Sequence, residues 1–138
     1  MSPTHFRSPI HRIFEEAFNR GNLAVVDEVL TPDHVARNTF SGTRTGSQDF
    51  KQLIAIYRMG FPDLHCTVEE EIVEGDQFAD HWTMCGTHQG LFLGNPPTGK
   101  MIQIQGIIFA RFEKDKILEY RMLIDQFGLL QQLGIIPR

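Results

Sequence analysis

The sequence predicts an α+β domain in which helices come first and an antiparallel sheet follows. Up to about residue 60 the apolar residues recur at helical spacing, and from residue 64 onward the period changes to extended. Helices followed by consecutive strands is the order in which helices cover one face of a sheet. With 138 residues, no linker and no internal repeat, the chain reads as one domain, 1–138, able to bury a core without disulfides.

Ile10, Ile13, Phe14, Ala17 and Phe18 form the apolar stripe of a first helix, started by Ser8-Pro9 and stopped by Gly21. Asn22 then caps a second helix through Leu30, burying Leu23, Val26 and Leu30, and Thr31-Pro32-Asp33 ends it. His34 to Phe40 can form a short strand, and Ser41 to Gly46 is a turn-rich segment. Ser47 is placed to cap a third helix with Phe50, Leu53, Ile54 and Tyr57 on one face, closed by Gly60.

Four strands follow at Leu64–Glu74, Gln77–His88, Met101–Phe112 and Ile117–Asp125. Their short connectors imply an antiparallel meander. A curved sheet wrapped over three helices leaves a cavity between the layers. Gln126 to Leu133 has helical spacing, stops at Gly134, and is expected to fold across the cavity mouth or against a partner subunit.

The formal net charge of −4, with Lys and Arg scattered, argues against a nucleic-acid partner. No apolar run approaches the roughly 20 residues of a membrane span, and the polar start, Met1 to Ser8, is unlike a secretory leader. A cytoplasmic protein is the expectation. Eleven Phe against two Tyr and one Trp point to an aromatic-rich interior or pocket. Cys66 and Cys85 fit no metal spacing and read as small buried groups in a reducing compartment. The six His do not cluster with carboxylates at metal spacing, and no nucleotide fingerprint or nucleophile–His signature is present, so neither metal nor cofactor is expected.

Phe61-Pro62-Asp63-Leu64, Gly86-Thr87-His88-Gln89-Gly90 and Pro97-Thr98-Gly99-Lys100 resemble, in that order, motifs of the SnoaL-like polyketide cyclases, a family of the NTF2-like superfamily. Lys116-Ile117-Leu118-Glu119-Tyr120, Asp125 and Leu130-Gln131-Gln132-Leu133-Gly134 resemble the same family. The resemblance implies a cystatin-like cone, with three N-terminal helices on a curved, mostly antiparallel sheet that encloses a pocket. It also implies a cofactor-free intramolecular aldol ring closure on a polyketide ester, a lyase or isomerase of secondary metabolism. Asp125 holds the position of the family's general acid/base. The strand Ile102-Gln103-Ile104-Gln105-Gly106-Ile107-Ile108 has no His where the family usually places a partner to that Asp. Proteins of this fold commonly pair through the outer sheet face, so a homodimer or homotetramer is expected.

An aldol closure needs a base beside a carbonyl and donors to hold the enolate. An Asp is a weak base at its ordinary pKa of about 3.9, and burial among apolar neighbours makes it a stronger one. Leu123, Ile124 and Phe127 flank Asp125, which is also a natural N-cap for the last helix. Trp82, Met84, Gly86 and His88 share one strand face, the expected pocket wall, where His88 can donate to an oxyanion. His81 falls on the opposite face and reads as surface or interface. Asn38, Gln105 and Arg121 are the remaining polar candidates for a small apolar or aromatic substrate, with Arg121 placed to pair with Glu119 or a substrate carboxylate. Phe92 and Leu93 in the long Gly90–Lys100 link can cover such a ligand. Two alternatives stay open: epoxide hydrolysis by Asp125 with Asp80 or Glu119, and a non-catalytic binding dimer.

Overall fold

The computed structural model describes residues 7–39 and 42–136, with the side chains of residues 38–39 and 42–45 left aside. The first helix, α1, runs Ile10–Arg12 and continues as a π-helical stretch, Ile13–Phe18. The expected apolar stripe survives this widening: Ile10, Ile13, Phe14, Ala17 and Phe18 are all buried. Gly21, at φ 82°, turns the chain into α2 (Ala24–Val29). That helix is shorter than the sequence suggests, because Leu30 is already extended at the start of β1 (Leu30–Thr39).

Two local expectations are corrected here. Thr31-Pro32-Asp33 lies within β1, where the register against its neighbour shifts between Leu30 and Val35, the kind of irregularity that admits a strand proline. Gly42–Thr45, expected as turn, forms β2, because it pairs antiparallel with β1 through Val35↔Thr45 and Ala36↔Arg44. Phe40 and Ser41 lie outside the described residues. Helix α3 (Gln48–Gly60) has Ser47 at its N-cap position, but the Ser47 hydroxyl donates to Asp27 Oδ1 at 2.5 Å instead of to its own helix.

The meander follows as read: β3 (His65–Glu74), β4 (Gln77–Thr87), β5 (Met101–Glu113) and β6 (Lys116–Ile124), then α4 (Gln126–Leu133). The six strands stand in the order β2-β1-β6-β5-β4-β3, antiparallel except for the parallel β1–β6 pair. This is the α+β architecture that the sequence predicts.

Along β4 and β5 burial alternates with period two, so even-numbered residues face the helices and odd-numbered residues face away. The inner layer explains the Phe-rich composition. Phe14, Phe18, Phe50, Tyr57, Phe61, Trp82 and Phe92 are all buried and occupy the space where the sequence places a cavity. Phe14 packs tilted against Trp82 with centroids 5.5 Å apart, and Phe50 meets Tyr120 at 5.4 Å. Gly106 lets Trp82 cross β5, since a Cβ there would lie 2.2 Å from the indole ring. No described helix is long and apolar enough to cross a membrane.

Beyond Gly106 the register with β6 ends, because Gly106 pairs with Ile124. The β5 edge at Gln103 and Gln105 is completed by the segment that follows. Asp125 N–H donates to Gln105 O at 3.1 Å, and the Gln132 side chain of α4 bonds both Gln103 N and Gln103 O, at 2.9 and 3.0 Å. A single amide group thus acts as a substitute strand neighbour.

Candidate functional site

Asp125 is the residue around which a site forms. It sits between β6 and α4, and its Oδ1 accepts from Gly128 N at 2.9 Å, so it is an N-cap. Its second oxygen lies over Gly128, where a Cβ would come within 2.2 Å of Oδ2. Gly128 is therefore part of the site, and the Asp-x-x-Gly spacing was the available sequence signal for it. The carboxylate is exposed and lines an open groove of about 220 Å³ with Thr83, Gln103, Ile104 and Gln105.

The groove lies on the outer face of the sheet. Behind it, His81 Nε2 donates to Gln105 Oε1 at 2.7 Å, and Glu70 Oε1 lies 3.4 Å from the other ring nitrogen. This fixes the carbonyl end of the Gln105 amide and leaves its NH2 as the donor for the groove. Thr83 Oγ1 donates to Glu69 Oε2 at 2.7 Å. His81 does lie on the face opposite Trp82, as expected, yet it is what orients Gln105. The cross-strand register Thr83↔Gln105 and His81↔Ile107 brings it there. Leu123, Ile107 and Phe127 are exposed on or beside this face.

The expected site residues therefore divide between two faces. Asp125 and Gln105 come together outside. Trp82, Met84, His88 and Phe92 are buried inside. His88 stands at the base of the Gly90–Lys100 link: Thr98 N donates to its Nδ1 at 3.2 Å, and Thr98 Oγ1 lies 3.0 Å from the same atom. A ring that accepts at Nδ1 carries its proton on Nε2. That Nε2 is buried without a hydrogen-bond partner, under Phe61 and Phe92. Trp82 Nε1 is buried and unpartnered as well. His88 is thus a loop staple, separated from Asp125 by the sheet.

The link behaves in part as a cover. Phe92 is buried against Tyr57 and Phe61, whereas Leu93, at φ 48° in the turn that pairs Phe92 with Asn95, is exposed. Arg121 is exposed on the outer face beside a small depression of about 50 Å³, away from the groove. Glu119 pairs with Arg37 at 2.9 Å across the parallel β1–β6 pair, not with Arg121, because Val35↔Glu119 sets the register. The Arg37 guanidinium holds the Glu119 carboxyl below its ordinary value. Asn38 lies in β1, with its side chain outside the described set.

The two-carboxylate alternative is not supported by this geometry. Asp80 faces the helices, opposite Asp125. Glu119 is six residues from Asp125 along an extended segment, about 20 Å away by the usual rise. One water cannot bridge either pair. Two further expectations change. Cys66 is buried and its thiol is pushed up by burial, but Cys85, an odd-numbered residue of β4, is exposed. And His11 meets two carboxylates: it converges on the cross-strand pair Glu71 and Asp80 from too far away in sequence for spacing to reveal.

The family model for SnoaL-like polyketide cyclases matches residues 9–133. Among solved structures, AclR from Streptomyces galilaeus, a proposed hydroxylase, is 29% identical with a TM-score of 0.82, over 94% of this chain and 81% of that one. IdmH, a proposed polyketide cyclase from Streptomyces antibioticus, is 27% identical with a TM-score of 0.78, over 91% and 96%. A proposed SnoaL-like polyketide cyclase from Jannaschia sp. CCS1 is 25% identical with a TM-score of 0.79, over 94% and 91%. No curated protein matches the chain by sequence.

Proposed function

This chain belongs to the SnoaL-like polyketide cyclase family, and from that premise we propose that it closes a ring in a polyketide-like ester by an intramolecular aldol reaction, with Asp125 as general base. The observation that supports the assignment is the groove, which brings the free Asp125 oxygen and the Gln105 amide onto one wall. Asp125 Oδ2 takes the proton next to a ketone, and the Gln105 NH2 donates to the enolate oxygen. The carbanion then attacks the second carbonyl, and the proton on Asp125 returns to the new alkoxide. The exposed Leu123, Ile107 and Phe127 offer an apolar bed for a flat substrate.

The groove is open to water. A second copy seated on the same outer face would remove water from it. Ile72 and Phe109, exposed farther along that face, favour such a homodimer. Epoxide hydrolysis loses its second carboxylate here, and the non-catalytic binding dimer remains the competitor.

The test is turnover of an aromatic polyketide methyl ester that carries a 1,3-dicarbonyl side chain, followed in deuterated water. Wild type is expected to exchange the α-hydrogen and close the ring. Asp125→Asn should lose about 10²-fold or more in both while remaining folded. Equal exchange by the two proteins would remove Asp125 from the reaction, and no exchange by wild type with any such ester would favour a binding protein.

A further inference from the structure

His11, Glu71 and Asp80 come from α1, β3 and β4 and meet beneath the first helix, on the sheet face opposite the groove. Glu71 and Asp80 are direct cross-strand partners. His11 Nε2 lies 3.1 Å from Glu71 Oε2 and 3.9 Å from Asp80 Oδ2, and one ligand atom from each residue falls within 4.8 Å of the others. The side chains of His11 and Glu71 keep 16% and 15% exposure, so the cluster has one wet side. Asp80 is fully buried, and apart from a proton shared with Glu71 no donor reaches its carboxyl oxygens. A buried polar group without a partner costs about 1–3 kcal/mol, and a charged one more. The groove makes no use of any of these residues.

We propose that His11, Glu71 and Asp80 bind one divalent first-row cation of the zinc class, which pins α1 to β3 and β4. A four-coordinate ion with bonds of about 2.0–2.2 Å holds its ligand atoms about 3.3–3.6 Å apart. The two separations from His11, 3.1 and 3.9 Å, bracket that range. One imidazole with two carboxylates suits zinc or manganese better than magnesium, which prefers oxygen ligands and keeps its waters. The double positive charge balances both carboxylates, gives the Asp80 oxygens a partner, and leaves a position for water on the wet side. Ser8 N–H, 3.3 and 3.4 Å from the two Glu71 oxygens, already orients that carboxylate from behind.

Loading requires a proton shift. Arg7 Nη2 donates to His11 Nδ1 at 2.8 Å, which keeps the ring proton on Nε2. A cation at Nε2 moves that proton to Nδ1 and frees Arg7, an exposed residue that already pairs with Glu15. Any proton held between Asp80 and Glu71 leaves to solvent, so uptake weakens as pH falls.

The full chain, stripped with a chelator, would be titrated with zinc chloride by calorimetry, with a thermal melt at each ratio. One zinc per chain is expected, with Tm rising by about 5 °C or more at hundredfold excess over Kd. Glu71→Gln and Asp80→Asn should each lower affinity at least about 10-fold, and His11→Gln likewise. Cys85→Ser, which removes the exposed thiol on the other face, should leave binding unchanged. Melts in chelator show which variants are folded. If Asp80→Asn does not fold, Glu71→Gln and His11→Gln decide the question from half-buried positions. Absent uptake, or uptake that these variants leave intact, would overturn the site and leave a carboxyl pair sharing a proton.

Discussion

On β4 and β5 neighbouring residues belong to different environments. The even-numbered set, Phe78, Asp80, Trp82, Met84 and Gly86, continuing to His88, is buried under the helices, and the odd-numbered set, including Thr83, Cys85, Gln103 and Gln105, faces away. Inside, polar atoms are few and hard to reach: His88 Nε2 and Trp82 Nε1 have no partner. Outside, the groups are ordinary but accessible, and they are already arranged: Gln105 by His81, Asp125 by Gly128. The difference separates two roles that a sequence motif runs together. His88 belongs to a motif shared with the family, yet it holds a loop, whereas Asp125, the proposed base, is exposed on the other face.

The strongest way to break this comparison is to attack the inner face. Trp82→Ala removes a fully buried indole that packs on Phe14 and spans Gly106, and should cost about 3–5 kcal/mol by chemical denaturation. A loss under about 1 kcal/mol would mean that the inner layer is loosely packed and open to ligands. On the outer face the expected losses are smaller and can be divided. Asp125→Ala removes the cap and should cost about 1 kcal/mol, whereas Asp125→Asn keeps a good capping residue and should cost less than half of that. If Asn is as costly as Ala, the negative charge itself supports α4, and the capping account needs the helix dipole.

The strands were legible to within about two residues because β4 and β5 alternate cleanly and all four are divided by Gly-containing or charged turns. The same alternation placed Trp82, Met84 and His88 on one face and His81 on the other. What it could not show was which polar residues would share a space. β2 was missed because Gly-Thr-Arg-Thr has no apolar residue, and only pairing with β1 makes it a strand. The groove was half legible. Asp125 stood out by motif and Gln105 by being polar in an apolar strand, but the His81–Gln105 contact depends on cross-strand register, and Gly128 on how close a carboxylate comes to a backbone. In the His11–Glu71–Asp80 cluster, His11 stands 60 residues or more from its two partners, which no local pattern can reveal.

The smallest expected effect tests the seam between the faces. Asp63, in the turn after α3, accepts from Thr87 N at 2.7 Å and from Thr87 Oγ1 at 2.8 Å at the end of β4. These two donors, the backbone N–H first, hold the Asp63 carboxyl below its ordinary value. A carboxyl lowered in the folded chain stabilises the fold where the unfolded chain is also ionised, above about pH 3.9. The contribution fades as pH falls through the lowered folded value. Asp63→Asn should therefore lower Tm slightly at pH 7 and hardly at all at pH 3, so the two proteins converge in acid. Because Asp63 is exposed, solvent screens the pair, and the gap at pH 7 should be smaller than that for Asp125→Ala. Curves that stay parallel from pH 7 to pH 3 would show that the Thr87 contacts work through geometry alone, and that the strand end is held by the aromatic packing of Phe61 beneath it.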